Sequence, residues 1–397
     1  MNTRRHFLLG LGSLALAQRV GAQPRGNPIR IGATMGLTGP LAATTAVHKV
    51  VAEIMVEQLN KKNGILGRPV EWILLDDQSK PDVTRTLYER LITVDKVDLI
   101  LGPYATGAIL AAMGVAQRYG KLLIQGTFGL PHLANYDMQF PASPIGPAPN
   151  KTFPPKLLDL LAASPNPPKT MAVVTSKFPS AQFISSGMRD LAPTRGLNVP
   201  LYLEYEFGTR DYSPIASRIK EANADVLWVG SLGLDSNQLL SALKAIDYLP
   251  PRHFHLFSAP GPLALAPEGD KALGYTFFEE HAPFTSRPGV AEIIPIYRER
   301  AKAAGIPYPF FDFQAAAMGT MWQMLEQAAS ATKSLDDKRM AAWLKANQVD
   351  TMMGRLRFDG PNNHGPDLSG VRQVIDRRWQ AIWPAEMAAP GVKPVLP

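Results

Sequence analysis

Two successive series of alternating strand and helix patterns constrain the fold of this 397-residue chain more than any other feature. From Asn27 onward, short apolar runs alternate with segments in which apolar residues recur every three or four positions, as on one face of a helix. The first series predicts strands at 28–33, 70–75, 98–101 and 121–124. Helices between consecutive strands require crossover connections, which favour a parallel sheet covered on both faces.

A proline-rich segment separates the two series. Six prolines fall within residues 140–155, which predicts a crossover between two domains. The second series then predicts strands at 170–175, 200–206, 225–229 and 253–257. We therefore expect an α/β protein with two doubly wound, Rossmann-like lobes, the alternative being a single large sheet. Helices predicted over 290–304 and 313–329 have no strands of their own and are expected to return to the first lobe.

The first 22 residues have the features of an export signal. Arg4 and Arg5 precede a short apolar run over 7–17, and small residues at 20–22 suit cleavage near Ala22. The apolar run is about half the ~20 residues that a membrane-spanning helix needs. We therefore expect a twin-arginine signal, delivery to the periplasm, and no stable association with the membrane.

Composition excludes several classes of function. The chain has no cysteine, so we expect neither disulfides, nor thiol chemistry, nor a lipid anchor. The formal net charge of +7 falls to +4 when Arg4, Arg5 and Arg19 leave with the signal, which contains no acid. The remaining charge is spread along the chain without a basic run. Binding to nucleic acid is therefore not expected.

A candidate carboxylate site follows the third strand of the first series. Open α/β sheets bind ligands at the carboxyl ends of their strands, and Tyr104, Ala105 and Thr106 lie in such a turn, at 102–107. We expect Thr106 to be the N-cap of the next helix, where free N–H groups and the helix dipole attract a carboxylate. The alternative is a cap that serves stability only.

A second candidate turn follows the next strand, at 126–129. Thr127 offers a hydroxyl, Gly129 offers backbone donors, and Phe128 offers a ring. This turn is expected to lie beside the first one, at the same sheet edge. Phe128 is equally compatible with an ordinary core position.

Motifs for catalysis, cofactors and metals are absent from the sequence. The glycine turn at 32–40 lacks the spacing of a dinucleotide loop, and neither a G-x-S-x-G nor an H-E-x-x-H motif occurs. His253 and His255 share a strand face without a third ligand nearby. Glu279-Glu280-His281 is interpreted as a solvated strand end. We predict no enzyme activity, no cofactor and no metal site.

Several segments occur in an order that resembles a known family. They are the glycine turn at 32–40, Leu59-Asn60-Lys61-Lys62-Asn63-Gly64-Ile65-Leu66-Gly67, Leu75-Asp76-Asp77-Gln78-Ser79-Lys80-Pro81, Ile100-Leu101-Gly102-Pro103, Asp211-Tyr212, and Gly354-Arg355-Leu356-Arg357-Phe358-Asp359. Together they resemble the leucine/isoleucine/valine-binding proteins, the type I periplasmic solute receptors of ABC importers. The resemblance covers essentially the whole chain after the signal.

The resemblance implies a type I periplasmic binding protein fold, in which three hinge strands join two lobes and a ligand is enclosed between them. It places the first lobe at 27–142 and 283–354. The second lobe takes 143–282 and 355–397. The expected partners are a small-molecule ligand and the membrane permease of an ABC importer, and the expected state is a monomer.

The resemblance also assigns roles within the cleft. Thr106 matches the hydroxyl residue that holds the ligand carboxylate, and Thr127 with Gly129 matches the loop beside it. In the second lobe, where amino-acid binders carry an aromatic residue before glycine, this chain has Ser180-Ala181 after Phe178-Pro179.

A second departure concerns the acid that pairs with a ligand ammonium. The matching position is Pro260, so a plain α-amino acid would need Asp235 or another carboxylate. Ser231 completes the candidate ligand-binding residues. The sequence favours a small organic acid, aromatic or aliphatic, as ligand. The alternatives are a receptor for branched-chain or other amino acids, a receptor for a signalling partner, and an exported enzyme.

Overall fold

The computed structural model describes residues 24–396, so the predicted export signal at 1–22 lies outside the described residues. The first sheet contains β1 (Ile29–Met35), β2 (Val70–Asp76), β3 (Leu99–Leu101), β4 (Leu123–Gln125) and β5 (Gln139–Pro141). These strands are parallel and lie in the order β2-β1-β3-β4-β5. The helices that connect them are α1 (Ala42–Lys61), α2 (Pro81–Thr93) and α3 (Thr106–Tyr119).

The second sheet has seven strands and belongs to a second lobe. Its strands in the first pass of the chain are β6 (Thr170–Ser176), β7 (Asn198–Tyr205), β8 (Val226–Gly233), β9 (Arg252–Ser258) and β10 (Leu273–Thr276). The helices of this part are α4 (Pro149–Ala162), α5 (Pro179–Leu191), α6 (Ser213–Ala222), α7 (Asp235–Ala245) and α8 (Pro260–Leu265). The expectation of an α/β protein with two doubly wound lobes is confirmed, and the single large sheet is excluded.

After β10 the chain returns to the first lobe, and after β12 it crosses to the second lobe again. The returning helices are α9 (Val290–Ala303), α10 (Phe313–Thr332) and α11 (Asp337–Ala346), and a hairpin of β11 (Val349–Thr351) and β12 (Gly354–Leu356) follows them. Helices α9 and α10 pack against α1. The antiparallel strands β13 (Gly370–Ile375) and β14 (Arg378–Trp383) complete the second sheet, in the order β14-β13-β10-β9-β8-β6-β7.

Three segments, which we call the crossing segments, connect the two lobes and lie at 142–148, 277–289 and 357–369. The first and third lie side by side, because Ile145 and Asp367 form an isolated antiparallel bridge. Such neighbouring connections let two lobes rotate about one common axis. Among residues 24–396, the helices are all too short or too polar to cross a bilayer.

The proline-rich segment differs from its prediction. The crossover ends earlier than Pro155, because α4 begins at Pro149 and contains Pro154 and Pro155. A proline lacks the N–H that would bond the carbonyl four residues earlier, which for Pro154 is that of Asn150. Gly187 of α5 packs on this same carbonyl, where an added Cβ would overlap the Asn150 oxygen. Helices α4 and α5 can approach this closely only with glycine at position 187.

Glu279 and Glu280 do not form the solvated strand end that the sequence suggested. Both are buried within the second of the segments that connect the lobes. The Glu279 carboxylate accepts a hydrogen bond from Arg372 of β13 at 2.9 Å and another from Thr276 at 2.8 Å. The local sequence does not reveal these partners, because Arg372 is 93 residues away.

We predict that Gly187→Ala destabilises the protein by about 1–3 kcal/mol, because the new methyl group must push α4 and α5 apart. Gly114→Ala is the matched control, since Gly114 lies within helix α3 and an added Cβ there meets no atom within 4 Å. The control is expected to be neutral or to stabilise by up to about 1 kcal/mol. Urea unfolding measures both, and equal effects of the two substitutions would contradict the packing argument.

Candidate functional site

A cavity lies between the two lobes at the carboxyl ends of their parallel strands. The space between its walls, including the part open to solvent, is about 470 Å³. It is lined by Tyr104, Ala105, Thr106, Thr127, Phe128 and Gly129 of the first sheet's loops, by Phe178, Ser180, Leu232 and Phe257 of the second lobe, and by Ser143, Ile145, Phe277, Phe313 and Gln314. A small molecule in this cavity contacts both lobes at once.

Eight of the eleven residues predicted from the sequence line this cavity. They are Tyr104, Ala105, Thr106, Thr127, Phe128, Gly129, Phe178 and Ser180. The structure brings them together because they all follow the carboxyl ends of strands, and the carboxyl edges of the two sheets face one another. The rule for open α/β sheets predicted the six first-lobe residues, and the family resemblance predicted Phe178 and Ser180; the structure places all eight around the cavity.

Thr106 is not the N-cap of α3, as the sequence suggested. It is the first helical residue, and the N-cap is Ala105, which has φ 75° and ψ 146°. Positive φ is unfavourable for alanine, and strained backbone of this kind is concentrated at ligand-binding sites. Phe257, on the opposite wall, also has a positive φ of 54°.

The two turns of the first lobe are joined by hydrogen bonds through their threonine hydroxyls. The Ala105 N–H donates to Thr127 Oγ1 at 3.1 Å, and the Gly129 N–H donates to Thr106 Oγ1 at 3.2 Å. Each hydroxyl therefore accepts from the backbone and keeps its own proton for donation. Two hydroxyl donors beside the N-terminus of a helix of 14 residues form an environment that favours an anion.

Aromatic side chains are the largest group in the rest of the lining. Six aromatic residues contribute to it, namely Tyr104, Phe128, Phe178, Phe257, Phe277 and Phe313. Among the residues that the structure describes, no Asp, Glu, Lys or Arg lines the cavity. A buried ammonium group would have no counter-charge in this lining.

Tyr104 and Gln314, which both line the cavity, also belong to a buried polar cluster. Nε2 of His48 lies 3.1 Å from Oε1 of Gln314, and the His48 ring meets the Tyr104 ring edge-on at 4.8 Å. Burial lowers the pKa of His48 to about 4, so its ring is neutral at neutral pH.

The two lobes touch directly beside the cavity. An added Cβ on Gly129 would overlap the side chain of Ser180, at the start of α5. Leu41 and Tyr104 of the first lobe share a small apolar cluster with Leu232 of the second lobe. The structure is therefore that of a closed cleft, and glycine at position 129 is a condition of the closure.

The other three predicted residues lie outside the cavity. Ser231 precedes Leu232 on β8, and its hydroxyl donates to the Leu256 carbonyl at 2.8 Å. Asp235 is buried, with one carboxylate oxygen 3.3 Å from the Tyr205 hydroxyl. Pro260 begins α8 and lines a separate cavity.

Seven lining residues were not identified from the sequence: Ser143, Ile145, Leu232, Phe257, Phe277, Phe313 and Gln314. Leu232 and Phe257 lie at strand ends, so the rule that identified the others could have included them. Ser143 and Ile145 belong to the first crossing segment. Phe313 and Gln314 begin a helix that reaches the cleft only after the chain has returned to the first lobe, which no local pattern indicates.

Comparison with known proteins agrees with this architecture. Residues 28–377 match the family described as "Periplasmic binding protein". The leucine-, isoleucine-, valine-, threonine- and alanine-binding protein of Pseudomonas aeruginosa is 22% identical over 354 residues, which cover 87% of this chain and 90% of the relative.

Two solved structures are similar in fold. A leucine-binding protein LivK from Thermotoga maritima has a TM-score of 0.75 at 18% identity, with 91% of this chain and 99% of that chain covered. A solute-binding protein of an ABC transporter from R. palustris, in complex with benzoate, has a TM-score of 0.73 at 17% identity, with coverages of 93% and 99%. Within residues 24–396, no group of three or more His, Asp or Glu side chains could hold a metal ion.

We predict that Asp235→Asn becomes more stable relative to the parent protein as the pH rises from about 4 to about 6. Burial raises the pKa of Asp235 from 3.8 to about 6, so folding favours its protonated form and the parent loses stability as this carboxyl ionises. At pH 7 the free energy of unfolding is expected to be about 1–3 kcal/mol higher for the variant than for the parent.

Urea unfolding of both proteins at pH 4 and pH 7 measures this difference. Asp376→Asn is the control, because Asp376 is exposed and its substitution should give no such trend. A difference between Asp235→Asn and the parent that does not depend on pH would contradict the assignment of a buried carboxyl.

Proposed function

This chain belongs to the family of periplasmic binding proteins, as a receptor of the branched-chain amino acid type of ABC transporter, and we propose that it captures a small aromatic carboxylate. The observation that carries the proposal is the lining of the closed cleft. It combines two hydroxyl donors beside a helix N-terminus with six aromatic rings and, within residues 24–396, no charged side chain. Receptors of this family bind solutes, and we propose that this one likewise binds without turnover.

The carboxylate would be held at the turns of the first lobe. Thr106 and Thr127 have hydroxyl protons to donate, because the bond that each hydroxyl makes to a backbone N–H uses it as an acceptor and leaves its proton for a ligand. The first N–H groups of α3 have no partner inside the helix, and the helix dipole adds partial positive charge. These donors compensate a carboxylate without the need for an arginine.

The rings of the cleft would hold the aromatic body of the ligand. Phe178 and Phe257 come from the second lobe, whereas Phe128 comes from the first. A ligand between them makes contacts in the closed state that the open state cannot offer. Binding would therefore shift the population toward closure, which is the state a permease can distinguish.

An α-amino acid is the less favoured ligand because its ammonium would be buried without a partner. Such a group costs several kcal/mol in an apolar site. Asp235, which the sequence suggested as a substitute, contacts Tyr205 and lies outside the cavity. The R. palustris protein of similar fold was solved in complex with benzoate, which supports an aromatic acid in this chain.

The proposed role includes export to the periplasm. The paired Arg4 and Arg5 before an apolar run suit the twin-arginine route, which accepts folded cargo. We propose that the protein acts in the periplasm as a monomer and passes its ligand to the permease of an ABC importer.

A thermal-shift panel tests the proposed ligand class. The purified protein is heated with benzoate, 4-hydroxybenzoate, leucine, isoleucine or valine, and the acids are expected to raise the melting temperature. A ligand at 100 times its Kd stabilises by about 2.7 kcal/mol. Thr106→Val, which removes a donor to the carboxylate, should weaken the acids about tenfold or more.

Thr86→Val is the matched control, since Thr86 lies on the exposed face of α2, and it should bind as the parent does. A shift caused by leucine, isoleucine or valine and not by the acids would refute the aromatic carboxylate. Equal affinities of the parent and Thr106→Val would remove Thr106 from the site.

We predict that Gly129→Ala weakens the acid that binds most tightly in the panel by about tenfold or more, because the added methyl group meets Ser180 and prevents closure. The double variant Gly129→Ala/Ser180→Gly removes the clash and should recover most of the affinity. Isothermal titration calorimetry measures both. The closure argument fails if Gly129→Ala binds like the parent, or if the double variant recovers nothing.

A further inference from the structure

Three of the hydroxyl groups that line the cavity lie together at the carboxylate end. A Cβ added to Gly129 would lie 3.2 Å from Oγ of Ser180 and 3.5 Å from Oγ1 of Thr106, so both hydroxyls are beside this glycine. The Thr127 hydroxyl accepts from the N–H of Ala105, the neighbour of Thr106. These hydroxyls therefore belong to the part of the lining that is proposed to hold the ligand carboxylate.

Gln314 adds a polar group of another kind to the same lining. It lies in the first turn of α10, and its side chain is only 3% exposed. Its Oε1 is 3.1 Å from Nε2 of His48, and the Tyr104 hydroxyl lies within hydrogen-bonding reach of the amide. An amide has two N–H donors and an oxygen with two lone pairs, so these two neighbours leave part of its hydrogen-bonding capacity unused.

The free end of this amide does not depend on how the amide is rotated. A neutral imidazole has one donor and one acceptor nitrogen, so His48 can pair with the amide oxygen or with the amide nitrogen. In either arrangement the other end of the Gln314 amide remains for a ligand. Burial lowers the pKa of His48 to about 4, so this pair is uncharged at neutral pH.

A hydroxyl is the ligand group that such an amide suits. It both donates and accepts, and so pairs with either end of the amide, whereas a carboxylate only accepts and is drawn to the N-terminus of α3. Ser143, another hydroxyl of the lining, already donates to the Gly126 carbonyl. A ligand hydroxyl near Gln314 would therefore find its partner in the amide.

We propose that Gln314 determines specificity for an aromatic carboxylate that carries a hydroxyl group on its ring. This inference rests on the proposed function, which places the carboxylate at Thr106 and Thr127. A ring without the hydroxyl would cover the amide and leave it unpaired, which lowers the affinity. Because His48 fixes the amide in place, the preference is for a hydroxyl at one ring position.

Isothermal titration calorimetry tests the inference with benzoate, 3- and 4-hydroxybenzoate, and 3- and 4-methylbenzoate. A methyl group is close to a hydroxyl in size but forms no hydrogen bond, so each pair isolates the pairing from the shape. At one of the two positions the hydroxybenzoate should bind about tenfold or more tighter than the methylbenzoate. The 2-position is left out, because a substituent there lies next to the carboxylate and its donors.

Gln314→Met removes the amide and keeps a side chain of similar length. It should reduce the preference for the hydroxyl to less than about threefold and leave the affinity for benzoate unchanged or higher. Gln117→Met, at an exposed position of α3, is the matched control and should keep the preference of the parent. Thermal unfolding without ligand checks that both variants are folded, and the comparison of the acids in the parent requires no variant.

The inference is overturned if neither hydroxybenzoate binds tighter than its methyl counterpart, or if folded Gln314→Met keeps the preference. It is also overturned if Gln314→Met weakens benzoate as much as the preferred hydroxybenzoate, since the amide would then hold the carboxylate. Binding of benzoate without any preference for a hydroxyl overturns this inference alone. Failure of all five acids to bind would overturn the proposed aromatic carboxylate ligand together with it.

Discussion

The close approach of the two lobes at Gly129 and Ser180 is the contact on which the rest of the cleft depends. Only a residue without a Cβ lets the first-lobe turn meet the start of α5, and this contact brings the rings of the two lobes together. Two hydrogen bonds hold the turn in place from behind, one from Ala105 to Thr127 and one from Gly129 to Thr106. The backbone strain at Ala105 is therefore stored at the point where the cleft closes.

A buried charge pair at the second crossing segment also stabilises the arrangement of the cleft. Arg372 of β13 pairs with Glu279 of the second crossing segment, and each side chain is only 3% exposed. The guanidinium also lies over the Trp379 ring at 4.0 Å and the Phe313 ring at 4.8 Å. Phe313 lines the ligand cavity. The pair thus links the second sheet, the second crossing segment and the cavity wall. Removal of one partner would leave an uncompensated buried charge.

Much of the fold could be predicted from the sequence, because alternating apolar strands and amphipathic helices have few ways to bury their faces. The helix predicted to follow the turn at 102–107 is α3, and the strands of both series appear close to their expected positions. Helix α4 was not predicted, since its prolines are typical of a loop, and only its packing against Gly187 and its neighbours stabilises it. The candidate site was predicted for the residues at strand ends and not for Phe313 and Gln314, whose approach depends on the return of the chain.

The sequence by itself determined the two-lobed α/β class, the turns at which a ligand is expected, and the absence of thiol and cofactor motifs, because these follow from local periodicity and residue type. The tertiary structure decided which side chains face the cleft. Ser231 and Leu232 are neighbours in the chain, yet only Leu232 lines the cavity, because the Ser231 hydroxyl is bonded to the Leu256 carbonyl of the neighbouring strand. It also decided that Asp235 faces Tyr205, and that an uncharged aromatic lining encloses the site. Those outcomes depend on how distant segments meet, which no local pattern specifies.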